Sequence, residues 1–533
     1  MIDNASTMRT RLPLLLVLIA SATLALIASA TPSAFGPQDA PTPLYIYNAL
    51  VIDGTGAPPA RMNVRIVGDR IVGVGDARTV LSERGDLMLD ARGLALAPGF
   101  IDTHSHHDRG LATARDALAM VSQGVTTIVA GQDGGGSGLA ALFRRLEREP
   151  VSVNVASYAG HGPLRSRVMG DDFKRTATSG EVEKMKPLLQ AEMDAGALGL
   201  STGLEYDPGI YSDKSEVLAL AKVAGDAGGR YISHVRSEDR WFWDAIDEVI
   251  AIGRANKMPV QISHIKLGML DLWGQAAKAI GVLDAARADG VQLTADIYPY
   301  TYWQSNLGVF FPKRNFADAT EAKFVLEHVT RAEEIIFNSY RRHPEYAGKT
   351  LADVAVMRGT PNVQTLMDLL AEPGGSGVSI VARGMADADV ERLIRWPFAN
   401  VCSDGQSTGL HPRGFGSFPK VLGPYVRDKK LFGIEEAVRK MTSLAAANVG
   451  IVNRGRIAPG YFADLVLFDP AAVADRADFG KAQAQAVGIK TVWVNGQFVF
   501  RDGKTTGTYS GRPIRREKAA RVPISLIART PFL

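Results

Sequence analysis

Cysteine is almost missing from this chain: 533 residues contain one. A single thiol closes no internal disulfide, builds no zinc knuckle and holds no iron–sulfur cluster. Net charge is nearly missing too. Lys and Arg number 60 against 56 Asp and Glu, too small an excess for a nucleic-acid surface read from bulk charge, so no nucleic-acid partner is expected. Compositional bias is absent. With 46% hydrophobic and 22% charged residues, disordered, fibrous and collagen-like chains are excluded. Glycine is the exception: 54 residues exceed the usual ~7% and fit a chain with many strand-to-helix turns. The length exceeds one ordinary core, so one large and one smaller domain are expected.

The amino terminus reads as a targeting segment. Met8-Arg9-Thr10-Arg11 is positive, 12–27 is almost wholly apolar, and Ala28-Ser29-Ala30 offers a cleavage site. This is the layout of a secretory signal peptide over 1–30. It predicts a periplasmic or secreted protein with no stable membrane insertion after cleavage; an uncleaved anchor is the alternative. Residues 31–43 carry four prolines and read as a tether.

Residues 44–94 and 455–516 read as short strands and turns that together form one small β domain. From residue 95 the pattern changes. Short apolar segments alternate with amphipathic ones, which predicts βα units around a parallel sheet. Eight candidate strands fall at 95–104, 125–133, 151–159, 196–204, 231–235, 259–265, 291–298 and 400–404. Eight such units predict an α/β fold with a closed (β/α)₈ TIM-like barrel over 95–454. Residues 301–399, charged and helical in pattern with an additional apolar segment Val378–Ala382, read as an insertion at the barrel mouth, where active-site lids occur.

Barrel chemistry sits at the carboxyl ends of the strands. The first strand ends Ile101-Asp102-Thr103-His104-Ser105-His106. Residues i and i+2 of a strand point the same way, so His104 and His106 can converge on a divalent metal. Two later candidate strands end in Ser233-His234 and Ser263-His264. Four histidines at strand ends of one barrel are hard to explain by packing, because an unsatisfied buried imidazole is costly. Asp404 ends the eighth strand and is a candidate general acid/base facing metal-bound water; helix capping is the alternative. Asp133, in Gly131-Gln132-Asp133-Gly134, is either a metal ligand or a loop residue. Trp241, Trp243 and Trp303 either line a pocket or pack in the core.

With these residues in place, the sequence resembles the amidohydrolase superfamily, and within it the N-acyl-D-amino-acid deacylases (D-aminoacylases). The resemblance runs from about Tyr45 to Arg516. It rests on the His-x-His segment, on Gly199-Leu200-Ser201-Thr202-Gly203-Leu204-Glu205-Tyr206, Ser233-His234-Val235-Arg236, Ile262-Ser263-His264-Ile265-Lys266, Thr294-Ala295-Asp296-Ile297-Tyr298, Ser403-Asp404-Gly405 and His411-Pro412-Arg413-Gly414. It implies a barrel with a small β-sandwich and a zinc centre of one or two ions. His234 and His264 match the tightly held zinc ligands, His104 and His106 a second, often weakly occupied position. Asp404 matches the acid/base, which also faces the metal. Tyr206, Lys266, Tyr298 and Arg413 match residues that hold the substrate carboxylate. His161 matches a family segment without a clear role.

One departure stands out. The family's bridging ligand is a cysteine at the end of strand two, and here Asp133 takes that position. A carboxylate is a harder ligand than a thiolate, which favours fuller two-metal occupancy or a metal other than zinc. No lysine lies between Lys186 and Lys214, so the carboxylated lysine of cyclic-amide hydrolases has no counterpart on strand four. The one cysteine, Cys402, is expected on the inward face below Asp404, in a packing role. The implied activity is metal-dependent hydrolysis of N-acyl-D-amino acids, with a small N-acylated amino acid as partner. A dipeptidase or a deacylase of peptidoglycan-derived fragments is the alternative. An inactive barrel serving as a periplasmic binding protein is the reading from another class.

Overall fold

The computed structural model describes residues 42–517. The expected signal peptide and all but the end of the expected tether lie outside the described residues.

The chain enters through β1 (Leu44–Val51), β2 (Ala60–Val67) and β3 (Arg70–Gly75), an antiparallel meander. The Gly68-Asp69 turn joins the last two, with Gly68 at a positive φ that favours glycine. Next come β4 (Leu87–Asp90) and β5 (Ala95–Pro98), both parallel to β1.

The barrel follows. Its strands are β6 (Phe100–Asp102), β7 (Val125–Ala130), β8 (Asn154–Ser157) with its continuation β9 (Ala159–Gly160), β10 (Gly199–Gly203), β11 (Arg230–His234), β12 (Val260–Ile262) and β13 (Leu293–Ile297). After the inserted β14 (Tyr302–Asn306), β15 (Ile335–Ser339) and β16 (Ser379–Arg383), the last barrel strand is β17 (Ala399–Val401). Parallel pairing runs β6-β7-β8 and β9-β10-β11-β12-β13-β17. Beyond the strand ends the ring closes: Asp404 N–H donates to His104 O at 2.8 Å and His106 N–H to Gly405 O at 3.0 Å. Every residue of β7, β10 and β12 is buried, as in a parallel sheet covered by helices. Those helices start on ordinary caps. Thr178 and Glu181 form a capping box for Ser179–Ala195, and the Asp213 side chain caps Lys214–Asp226.

The chain then returns through β18 (Leu465–Phe468), β19 (Ile489–Val494), β20 (Gln497–Arg501) and β21 (Lys504–Thr505), which extend the first sheet to nine strands. Leu44, Ile46, Val64, Leu96, Leu465 and Trp493 pack there as a core separate from the barrel's. Both flanking segments thus build one small β domain.

Four features differ from expectation. The single strand expected over 95–104 is two: β5 pairs with β18 in the nine-stranded sheet, while β6 pairs with β7 in the barrel. The switch falls at Gly99, where a Cβ would meet the Thr126 side chain at 2.2 Å, so only glycine fits the crossing. The insertion expected to be helical contains an antiparallel sheet of order β14-β16-β15, flanked by the helices Leu351–Arg358 and Asn362–Ala371. The insertion also ends before 399, because the helix Asp387–Leu393 packs on the barrel helix Ala276–Ala288. Finally, residues 511–514, expected in the β domain, lie along the barrel strand β8: Ile514 N–H donates to Val155 O at 2.8 Å and Val155 N–H to Arg512 O at 3.0 Å.

Candidate metal centre and active site

Strand ends deliver the site. His104 and His106 follow β6, Asp133 follows β7, His234 ends β11, His264 follows β12 and Asp404 follows β17. His106 Nε2 stands 3.1 Å from Asp133 Oδ2 and 3.2 Å from Asp404 Oδ1; His104 Nε2 stands 3.3 Å from Asp133 Oδ1 and 3.6 Å from Asp404 Oδ1. On the other side His264 Nε2 lies 3.4 Å from Asp133 Oδ1 and 3.1 Å from His234 Nδ1. Asp133 therefore stands between two histidine pairs. Two overlapping donor groups result, His104–His106–Asp133–Asp404 and Asp133–His234–His264, each with its ligand atoms within 4.8 Å of one another.

These donors fit divalent metal. His104 is fully buried and neither ring nitrogen has a hydrogen-bond partner among the described residues. Such an imidazole is costly unless something satisfies it, and a cation between it and the aspartates does so. The backbone is unusual at the same place: Asp133, His264 and Asp404 have φ of +52°, +34° and +48°, left-handed values uncommon outside glycine that cluster at functional sites.

A ring of acids supports the histidines. Glu205 Oε2 lies 3.0 Å from His234 Nε2. Glu238 Oε1 lies 3.0 Å from His264 Nδ1 and accepts from Lys266 Nζ at 2.6 Å. Beneath them the fully buried Asp296 accepts the His264 N–H at 2.5 Å and the Gln261 side-chain amide at 2.6 Å. The Cys402 thiol donates to the same carboxylate at 3.4 Å. Burial and the Asp296 charge push that thiol's pKa well up, so Cys402 is an inert floor residue.

Charge balance sets the protonation states. Burial opposes ionisation of Asp404, but Arg413, at 2.5 Å, and the imidazoles hold it well below the usual carboxylate range. Asp133 is held down in the same way by His104, His106 and His264 against its own burial. Burial works against protonation of His106, yet Asp133 and Asp404 lift it to about 9.

The centre opens into a cavity of about 780 Å³ between the barrel mouth and the inserted lobe. Of the four residues matched to substrate-carboxylate binding, Tyr206, Lys266 and Arg413 line it. Lys266 is already engaged with Glu238 and Arg413 with Asp404. Tyr298 is buried, its hydroxyl unpartnered among the described residues and its ring 4.8 Å from the Arg413 guanidinium. Trp303 lines the cavity. Trp241 is solvent-exposed and Trp243 lies under Lys278 at 3.8 Å, so neither reaches it. His161 is not part of the centre; it bonds Glu216 at 2.7 Å in a buried network with Arg165.

Sequence reasoning gave no role to Glu205, Glu238 or Asp296. Glu205 and Asp296 stand inside segments that carried the resemblance, and Glu238 follows His234 by four residues, but an acid after a strand end has no distinguishing spacing.

Comparison with known proteins agrees with this geometry. Residues 88–500 match the Amidohydrolase family. A D-aminoacylase of Alcaligenes xylosoxydans xylosoxydans is 34% identical over 505 residues, 90% of this chain and 99% of the relative. An N-acyl-D-glutamate deacylase (34%, 89% of this chain and 96% of the relative) and an N-acyl-D-aspartate deacylase (35%, 87% and 92%) of the same organism are equally similar. Among solved structures, a D-aminoacylase examined for its binuclear metal centre superposes with a TM-score of 0.80 at 33% identity, covering 89% of this chain and all of that one. An N-acyl-D-glutamate deacylase from Bordetella bronchiseptica, bound to zinc and a phosphonate mimic of the tetrahedral intermediate, gives 0.79 at 33% identity, covering 89% and 99%. The chain belongs to the amidohydrolase family and is a hydrolase acting on amide carbon–nitrogen bonds.

Proposed function

We propose that this protein hydrolyses the amide bond of N-acyl-D-amino acids, releasing a carboxylate and a free D-amino acid, with one or two divalent ions, zinc first among them. The observation that carries the reading is the convergence of four histidines and two aspartates at the mouth of a barrel whose relatives, at 34–35% identity over nearly their whole length, are D-amino-acid deacylases. His104, His106, Asp133, His234 and His264 would hold the metal, with Asp404 facing it. When bound, the metal supplies a Lewis acid and lowers the pKa of water toward ~7.

The chain's own groups do the rest. Asp404 is ionised at rest, so it takes the proton of the attacking water and returns it to the departing nitrogen. Arg413 holds the second oxygen of Asp404 and fixes its direction. Asp133 keeps both histidine pairs within reach of one carboxylate. Lys266 and Tyr206, on the cavity wall, are placed to meet the substrate's carboxylate. Asp404→Asn should retain its metal and lose about 10²–10⁴ in kcat, the scale of a lost general acid/base. Near-normal turnover in that variant would sink the assignment.

The same reading places the mature protein in the periplasm or outside the cell, on the strength of the charged, apolar and small-residue pattern over 8–30. Amino-terminal sequencing of protein recovered from the exported fraction tests it; an intact Met1 or Met8 there would refute cleavage.

A further inference from the structure

His411 stands two residues before Arg413 and does not line the cavity. Its ring is buried, and both nitrogens are engaged. Nδ1 accepts the Arg413 backbone N–H at 3.1 Å, and Nε2 lies 2.8 Å from the carbonyl oxygen of Tyr302, the first residue of β14. A carbonyl oxygen only accepts, so the proton sits on Nε2 and the imidazole is neutral. Burial and the Arg413 charge keep it so, holding its pKa well below the usual value. Tyr300 and Phe479 pack edge-on against the ring, with centroids 5.6 and 5.9 Å away. The preceding residue is tied to the same lobe: Leu410 N–H donates to Asn338 Oδ1 of β15 at 2.7 Å, and Asn338 Nδ2 donates to Ser379 Oγ of β16 at 2.9 Å. On the far side of Arg413 the backbone is tied to the barrel, where Gly414 O accepts the Gln123 side-chain amide at 2.8 Å.

We infer that His411 is a positioning residue: its ring bridges the Arg413 backbone to the inserted lobe, so that the lobe, acting through Arg413, sets the direction of Asp404. The inference rests on the deacylase reading, in which Asp404 is the acid/base, and deepens it. Arg413 is itself buried and its guanidinium pairs with the second oxygen of Asp404. A long side chain holds a carboxylate in one direction only when its own backbone is fixed by further bonds. A misplacement of about 1 Å at a reacting group can cost a hundredfold in rate. The Gln123 bond fixes Arg413 from the barrel side and the His411 bridge from the lobe side. The inserted lobe is thereby part of the catalytic geometry as well as a wall of the cavity.

Three substitutions separate the two halves of the bridge. His411→Asn keeps an acceptor for the N–H two residues on, as asparagine does in turns, but is too short for Tyr302. His411→Gln can donate to Tyr302 O and leaves the Arg413 N–H without its acceptor. His411→Phe makes neither bond. Each is assayed as metal-replete enzyme with whichever of N-acetyl-D-leucine, N-acetyl-D-glutamate and N-acetyl-D-aspartate the wild type turns over fastest. Each should lower kcat by about 30–100-fold and change KM by less than about threefold, with wild-type circular dichroism and zinc content. Full rate in the Asn or the Gln variant would overturn the bridge, since one half would then suffice; these two carry the test if the Phe variant does not fold. In an Arg413→Ala background the same substitutions should cost less than about threefold, because residues that act through one another are not additive. Costs that multiply in full would show that His411 acts by packing alone and would refute its route through Arg413. Nitrogen NMR of the histidine rings reads the bridge without turnover: one ring, missing from His411→Gln protein, should be the neutral Nε2–H form. A protonated or Nδ1–H ring in its place would sink the inference. No wild-type turnover of any of the three compounds, with that ring signal intact, would instead sink the deacylase reading.

Discussion

The two histidine pairs reach the same aspartate by different routes. His104 and His106 come from one segment after β6, whereas His234 and His264 come from neighbouring strands. The second pair is held from behind: Glu205 fixes the far nitrogen of His234, and Glu238 with Lys266 fixes that of His264. The first pair is not. His104 Nδ1 stands 3.9 Å from Asp296 Oδ1 and has no hydrogen-bond partner among the described residues, and neither has His106 Nδ1. Outer partners set the tautomer and direction of a ligating imidazole and raise metal affinity. The difference therefore ranks the two positions: Asp133–His234–His264 is prepared in advance, and His104–His106–Asp404 depends on the ion to order it.

Substitutions can break or sharpen that ranking. The largest effect is expected from His264→Ala, which removes a ligand of the prepared position. Zinc measured by elemental analysis should fall below one per chain and kcat by more than about a thousandfold, because metal-assisted attack is lost. Retention of one tightly bound zinc would reverse the ranking. Glu205→Ala should come next, weakening zinc by about 10–100-fold in competition with a chelator. Glu205→Gln, which still accepts from His234 Nε2, should recover most of that loss. Failure of Gln to do better than Ala would show that Glu205 acts by charge rather than by direction. The smallest effect on tight binding is expected from His106→Ala: the first zinc stays with little change and only a second equivalent, measured in zinc-supplemented buffer, disappears. Loss of both would show that the two positions are one.

Much of this was legible in the sequence because barrel geometry converts a linear pattern into a place. A histidine that closes an apolar β-branched segment faces the mouth wherever the barrel closes, so His104, His106, His234 and His264 could be named from position alone. Position alone left Asp133 open between ligand and loop residue and Asp404 between acid/base and helix cap; the family resemblance decided both. The supporting acids were not found, since Glu205 and Glu238 follow the strands in loops, where no periodicity says which way a side chain turns. The split at Gly99 was hidden because residues 95–101 are apolar on both sides of it, and the two sheets demand the same residues there. The inserted sheet escaped for the opposite reason. Tyr-Trp-Gln-Ser-Asn in β14 is half-buried along its whole length and shows no alternation to mark it as a strand.

The passage from β5 to β6 through Gly99 also sets an order of events during synthesis. β5 touches β1 at two positions and pairs over its full length only with β18, and β18 leaves the ribosome after the whole barrel. The first barrel strand is thus tethered to a sheet whose completing strands arrive last. Until they do, β5 presents an unpaired apolar edge, the kind of surface that invites association between nascent chains. A chain stopped before Leu465 would carry all six metal-facing residues and still lack the partner that anchors the strand leading to two of them.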